Sequence, residues 1–261
     1  VLSDFASFCG WTGRFAEALP FARQVVELSG KDGDRDHELA IAYNNVGATQ
    51  LQLADYQAAE ASYRSSLEIL EATQGIASRR LIVPLAGLGA AFAAQDQHAL
   101  AVEFVVRALA VSRRADGLFN LAQLPLVEQA ADSLYAIADY RGAERERMYA
   151  LRIAEQNYGY GDPRTQPALN SLAQFYEGLR QYAAARSIYM RIRDATGRES
   201  GGYSPESIRA LLGIARTHRL QYLVDPESVE SQLPVREDFV ADPVDNIYQE
   251  PRVQTPGMER S

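Results

Sequence analysis

Alanines recur at a constant interval of about 42 residues through most of this chain, which lies within the range of known structural repeats. Ala59, Ala101, Ala143 and Ala185 occupy the same place in similar local patterns, and a fifth copy, residues 13–18, precedes the first by almost the same interval. Self-similarity of this kind is typical of stacked repeats, in which each unit buries its apolar face against its neighbours. The spacing therefore predicts a repeat array with one long binding surface, not a fold wrapped around a catalytic pocket.

Each period contains two helix patterns separated by a short polar turn. In the period that starts near residue 36, Tyr43, Val46, Gly47 and Gln50 follow the i, i+3, i+4, i+7 spacing of one helix face. Small residues recur at two places per period, because antiparallel helices approach to about 8–10 Å only where the crossing residue is small. The predicted crossing residues are Gly47, Gly89, Ala131 and Ala173 in the first helices and Ala59, Ala101, Ala143 and Ala185 in the second. The aromatic residues expected to fill the gaps between hairpins are Phe15, Tyr56, Tyr140 and Tyr182.

These patterns predict an all-α fold, a right-handed superhelical solenoid of stacked antiparallel helix hairpins. Asp162-Pro163 and Ser204-Pro205 each have the form of an N-cap followed by proline at the first helical position. The predicted division is a partial first unit at 1–30, full units at 36–74, 78–116, 119–157 and 163–198, a capping or half-unit helix at 204–223, and an acidic tail or linker at 225–261. The tail has a formal charge of -6 and five prolines, so we expect it to be disordered or extended.

The pattern resembles the tetratricopeptide repeat, in the longer variety found in kinesin light chain and in many bacterial proteins. Residues 43–64 and 169–189 carry the resemblance best, and it extends over about residues 1–222. Gln50 and Arg147 depart from it at positions that are usually aromatic, and His98 replaces a gap-filling aromatic residue. These departures affect the expected local packing, not the expected fold.

Composition indicates the origin and the class of partner. The chain has 25 arginines and a single lysine, Lys31, which favours a bacterial source with arginine-rich codon usage, in the cytoplasm or periplasm. Residues 1–224 carry a formal charge of only -2, far from the basic surface that nucleic acid binding requires. No apolar run approaches the roughly 18 residues of a membrane helix. We expect a protein or peptide partner, with homo-oligomerisation as a further possibility.

The sequence contains no recognisable catalytic or metal-binding constellation. Its three histidines, His37, His98 and His218, fall in different units, and no paired-histidine or paired-cysteine spacing occurs. The single cysteine, Cys9, is interpreted as a small buried apolar residue. We therefore predict no catalytic residue, no metal site, no cofactor and no enzymatic activity, with a hydrolase as the remote alternative.

Binding is expected one helix face away from the small crossing residues, at the fifth, ninth and twelfth positions of each unit, counted from Ala40 and its equivalents one period apart. The resemblance implies that Asn44 and Asn170 hydrogen-bond the backbone of a bound peptide. Glu128, Asp132 and Glu177 favour a basic or amide-rich segment, although these polar residues also suit a groove that is merely solvated. The predicted peptide-binding residues are Asn44, Leu51, Glu128, Asp132, Tyr135, Asn170, Gln174, Glu177, Arg216 and Arg219.

The predicted function is therefore a non-enzymatic interaction scaffold that binds a protein segment in the groove of the solenoid. The alternative is the repeat portion of a longer bacterial envelope or signalling protein whose activity lies in another domain. A smaller hypothesis places the Phe239 or Tyr248 segment of the tail in the groove of its own or a neighbouring molecule.

Overall fold

The computed structural model describes residues 12–29, 36–200 and 204–224, without the side chains of 197–200. The predictions for Cys9, Lys31 and the tail at 225–261 lie outside these residues. The chain divides into two compact units, residues 1–218 and 219–261. The first unit holds the repeats; of the second, the structure describes 219–224, which belong to the last helix.

The described residues form α-helices joined by short turns, and none of them lies in a strand. Adjacent helices pair as antiparallel hairpins, so the predicted all-α solenoid is confirmed. The helices are α1 Phe15–Ser29, α2 Asp36–Gln52, α3 Tyr56–Gln74, α4 Ile82–Ala93, α5 His98–Asp116, α6 Leu124–Ala136, α7 Tyr140–Tyr158, α8 Gln166–Gly178, α9 Tyr182–Ser200 and α10 Pro205–Val224. The predicted boundaries of the repeat units are not tested by these helix bounds and remain predictions.

The turn inside each hairpin has a left-handed residue at a fixed place in the repeat. Ala54, Asp96, Ala138 and Arg180, each one period from the next, have φ between 59° and 62°. Residues with a Cβ rarely adopt this conformation because the side chain crowds the following carbonyl group. The same left-handed residue therefore recurs four times, once in each of these hairpin turns.

The connections between hairpins repeat with the same period. Gly75, Gly117 and Gly159 end the second helices with positive φ and donate their N–H groups to the carbonyl oxygens of Glu71, Arg113 and Glu155. Ser78, Asn120 and Asp162 then cap a short 3-10 turn, each accepting a hydrogen bond from the backbone N–H two residues later.

Both proline-flanked N-caps predicted from the sequence are confirmed. Asp162 caps the turn that starts at Pro163, and Ser204 caps α10 by accepting a hydrogen bond from the Ser207 N–H at 3.0 Å. By contrast, α9 continues to Ser200, two residues beyond the predicted end of its unit at 198.

The core follows the predicted register. All eight small crossing residues are buried, and the second-helix alanines Ala59, Ala101, Ala143 and Ala185 have no exposed surface. Gln50, which departs from the usual aromatic residue, accepts a buried hydrogen bond from the Ser62 hydroxyl at 2.7 Å. A polar pair therefore replaces an aromatic contact at that point without leaving the amide oxygen unsatisfied.

Two expectations about packing were wrong. Tyr140 was expected to fill a gap between hairpins, but its side chain is 44% exposed and lies edge-on to Tyr135. Leu211 and Ala215 of α10 stand one period after the buried Leu169 and Ala173, so the register predicts that they are buried, but both are exposed. The buried residues of α10 are Ser207, Ala210, Gly213 and Thr217.

The difference in α10 has a physical reason. Leu211 and Ala215 match Leu169 and Ala173 of the preceding unit, which are buried in the hairpin of α8 and α9. Among the described residues no helix follows α10 to form such a hairpin, so only its face toward the preceding hairpin is covered.

Candidate functional site

Arg147 occupies a position in α7 that is buried and apolar or aromatic in the other repeats. Its counterparts at the same place in the period are Tyr63, Val105 and Tyr189, all 5% exposed or less. The Arg147 side chain is 12% exposed. One repeat therefore places a guanidinium where these others place a core side chain.

The residue that faces this position from the next repeat is matched to it in size. The Tyr63 ring lies against Gly87 and the Tyr189 ring against Gly213, where an added Cβ would come within 2.3 Å and 2.9 Å of ring atoms. Opposite Arg147 stands Ser171, whose hydroxyl is hydrogen-bonded to the guanidinium. The arginine thus has a polar partner where the tyrosines require glycine.

The Arg147 guanidinium binds two carboxylates from α6. Its Nη2 donates to Asp132 Oδ1 at 2.6 Å, and its Nη1 lies 3.4 Å from Glu128 Oε2. Ser171 donates its hydroxyl proton to the same Glu128 oxygen at 2.8 Å. The guanidinium carbon also lies 5.6 Å from the centre of the Phe175 ring, within cation–π range. Because four groups from two helices hold it, the arginine has one well-defined orientation.

This cluster lines an open cavity of about 520 Å³ between α6 and α8, here called the α6–α8 cavity. Its wall includes aromatic rings: Tyr135 lies edge-on to Phe175 with ring centres 6.0 Å apart. The lining residues are Glu128, Asp132, Tyr135, Arg147, Pro167, Asn170, Ser171, Gln174 and Phe175. The cavity therefore combines carboxylates, amides and aromatic surface, the groups that hold a polar side chain and a peptide backbone.

Half of the ten predicted groove residues lie together in this cavity: Glu128, Asp132, Tyr135, Asn170 and Gln174. Four of its residues had no predicted binding role: Arg147, Pro167, Ser171 and Phe175. The sequence signal for Arg147 was present as a departure from the repeat pattern. That departure was interpreted as a change in local packing. The pairing of Arg147 with two acidic residues of the neighbouring helix was not predicted.

Two further predicted residues form an ion pair of their own. Arg216 of α10 binds Glu177 of α8 through both carboxylate oxygens, with Nη2 at 2.9 Å from Oε1 and 2.6 Å from Oε2. Nη2 also lies 3.2 Å from the Tyr189 hydroxyl oxygen. Burial raises the pKa of Tyr189, and the nearby Glu177 carboxylate raises it further. Glu177 is thus already neutralised by a bidentate partner.

The remaining predicted residues lie away from the cavity. Asn44 and Leu51 are on α2, where Leu51 is half-buried against the core. The Asn44 side-chain oxygen is buried and accepts no hydrogen bond from the described residues. Arg219 is exposed on α10 and belongs to the second unit. These three positions remain predictions.

Within residues 12–29, 36–200 and 204–224 no group of three or more histidine, cysteine or acidic side chains is arranged to hold a metal ion. No helix in those ranges is long and apolar enough to cross a membrane.

Comparisons with known proteins agree with this fold. A tetratricopeptide-repeat family model matches residues 1–72. The solved structure of the nearly identical TPR-like repeats of a Podosopora anserina putative kinesin light chain is similar, with a TM-score of 0.68 and 16% identity over 76% of this chain and 95% of that chain. The structure of BtubC (BKLC) from P. vanneervenii gives a TM-score of 0.59 and 15% identity over 95% and 99% of the two chains. These comparisons confirm the predicted TPR-like solenoid fold, with the tetratricopeptide-repeat family itself matched at residues 1–72.

The same fold also occurs in proteins that are not described as kinesin light chains. Aspartyl phosphate phosphatase F from Bacillus subtilis matches with a TM-score of 0.55 and 14% identity over 84% of this chain and 59% of that chain. At such identities the likeness shows the fold alone. No curated protein sequence matches the chain. Solenoids of this kind present extended surfaces that commonly serve in protein binding.

Proposed function

We propose that the repeats bind a segment of another protein along the surface formed by the first helix of each hairpin. The observation that carries this proposal is the α6–α8 cavity, in which five of the ten residues selected for binding meet. The cavity is open to solvent, and its polar groups come mainly from two successive first helices. A segment that crosses from one hairpin to the next would contact both helices at once.

The groups present suit recognition of a polypeptide better than chemistry on a substrate. Asn170 and Gln174 each offer a donor and an acceptor to a peptide backbone. The carboxylates of Glu128 and Asp132 are bound to Arg147, so neither is placed as an isolated acid or base. Nothing in this arrangement activates a nucleophile, and binding without turnover is the expected activity.

A degenerate peptide pool tests the proposal when the partner has not been identified. The full chain is immobilised, exposed to random 12-residue peptides, washed, and the retained peptides are quantified by mass spectrometry. The test variant replaces Asn44, Asp132 and Asn170 together with alanine. The matched control replaces Gln57, Glu103 and Gln156, which are exposed polar residues on the second helices.

We expect the wild-type chain and the control to retain peptides above blank resin, and the test variant to lose most of that retention while keeping its helical circular dichroism. Retention by the test variant equal to that of the wild type would exclude this surface as the binding site. No retention by the wild-type chain would overturn the proposed function.

A further inference from the structure

The α6–α8 cavity carries one uncompensated negative charge. We propose that it accepts one basic side chain, an arginine or a lysine, from the bound segment, with Asp132 as the main acceptor. This inference rests on the proposed function and specifies the chemistry of the partner at one point of the same surface.

The charge count follows from the lining residues. Glu128 and Asp132 are the acidic residues of the lining, and Arg147 is its only basic residue. Two carboxylates therefore share a single guanidinium. Because the cavity is open to solvent, the remaining charge attracts a cation with the modest strength of a partly exposed charge pair.

Asp132 has the free capacity to bind that cation. Arg147 occupies its Oδ1, while the Asp132 side chain remains 69% exposed and its Oδ2 takes part in no hydrogen bond or ion pair of the described residues. Glu128 is more enclosed, at 35% exposed, and its Oε2 already receives both Arg147 and Ser171. Asp132 Oδ2 is thus the more exposed of the acceptors that remain open.

An anionic ligand fits the cavity less well. The Arg147 guanidinium is largely buried and already held by Glu128, Asp132, Ser171 and the face of Phe175. An incoming carboxylate or phosphate would have to break those contacts and would approach two like charges. A cation leaves the contacts of Arg147 in place. Its positive charge balances the carboxylate that Arg147 leaves uncompensated.

The uncharged part of the wall suits a long basic side chain. Tyr135 and Phe175 offer aromatic surface against which the methylene stem of arginine or lysine packs, with the charged group kept at the polar end. Asn170 and Gln174 contribute amide oxygens as further acceptors. The volume of about 520 Å³ is ample for one such side chain.

The repeat register restricts this preference to one place along the bound segment. Among the equivalent pairs of positions in the other repeats, none consists of two acidic residues. Those pairs are Asn44 and Ala48, Ala86 and Ala90, Asn170 and Gln174, and Leu212 and Arg216. We therefore expect a single basic position in the segment, not a generally basic sequence.

The composition of peptides retained from the degenerate 12-residue pool tests this inference. Retained peptides are sequenced by mass spectrometry, and the frequency of arginine plus lysine is compared with that of the input pool. The test variant is Asp132→Asn, which keeps the shape of the side chain and removes its charge. The matched control is Glu103→Gln, the loss of an exposed carboxylate on α5 that lies outside the cavity.

We expect one position in the peptides retained by the wild-type chain and by E103Q to be enriched in basic residues by about fivefold, the upper factor that one partly exposed charge pair provides. With D132N the enrichment at that position should disappear. Retained peptides without basic enrichment, with acidic enrichment, or with enrichment unchanged in D132N would overturn the inference and leave the groove itself intact. Failure of the wild-type chain to retain any peptide would instead overturn the proposed function and this inference together.

Discussion

The phenol ring of Tyr63 fills the space that a side chain at Gly87 would occupy. An ideal Cβ on Gly87 would lie 2.3 Å from two atoms of that ring. Both residues are buried, and burial raises the pKa of Tyr63 to about 12. The contact joins α3 to α4 and therefore couples one hairpin to the next.

Gly87→Ala should destabilise the array. The added methyl group would overlap a buried ring, and overpacking of this kind costs about 1–3 kcal/mol. The better helix propensity of alanine offsets part of that cost. Chemical denaturation followed by circular dichroism measures the change. In the double variant Tyr63→Val with Gly87→Ala, the effect of the alanine should largely vanish, and additive effects would contradict the contact.

Arg147→Tyr should be tolerated only when Ser171 is also replaced by glycine. The single change places a ring against the Ser171 side chain, where Tyr63 and Tyr189 each face a glycine. The double change restores the arrangement that those repeats have around the ring, while Glu128 and Asp132 lose their cation in the single and the double variant alike. We expect the double variant to unfold at a higher urea concentration than Arg147→Tyr alone. The reverse order would contradict the proposed size matching.

Ala138→Gly should stabilise the hairpin of α6 and α7. Ala138 has a φ of 62°, a conformation that costs an alanine about 1–2 kcal/mol and a glycine almost nothing. Because glycine also gives the unfolded chain more freedom, we expect a net gain of about 0.5–1 kcal/mol in the free energy of unfolding. The opposite change, Gly117→Ala at a φ of 84°, should lower the free energy of unfolding. If both substitutions changed the free energy of unfolding in the same direction, the left-handed conformation would not be the cause of the change.

Asp162 should titrate well below the usual range of an aspartate. Hydrogen bonds from Arg164, the side chain first and the backbone second, lower its pKa to about 2. A lowered pKa contributes stability above the unfolded value, about 3.9, and that contribution is lost as the pH falls toward the folded value. Carboxyl carbon NMR measures the titration directly. Arg164→Gln should raise the pKa toward its unfolded value, and an unchanged pKa would exclude the arginine side chain as the main cause.

The repeat register made the fold predictable, because small crossing residues and buried aliphatic positions recur once in every period. The side-chain partners were less predictable. The sequence placed Glu128 and Asp132 on the expected helix face, but the side chain that pairs with them, Arg147, comes from a core position whose direction depends on packing between hairpins. Likewise Glu177 was expected to be available to a ligand, and only the position of α10 shows that Arg216 binds it.

The binding surface is tested most directly by site-specific photo-crosslinking to a peptide retained from the degenerate pool. A photoreactive amino acid is placed at Gln174, in the α6–α8 cavity, or at Met190, which is exposed on α9 outside it. We predict a covalent adduct from position 174 and little from position 190. Efficient crosslinking from position 190 with none from position 174 would contradict the assignment of the binding surface.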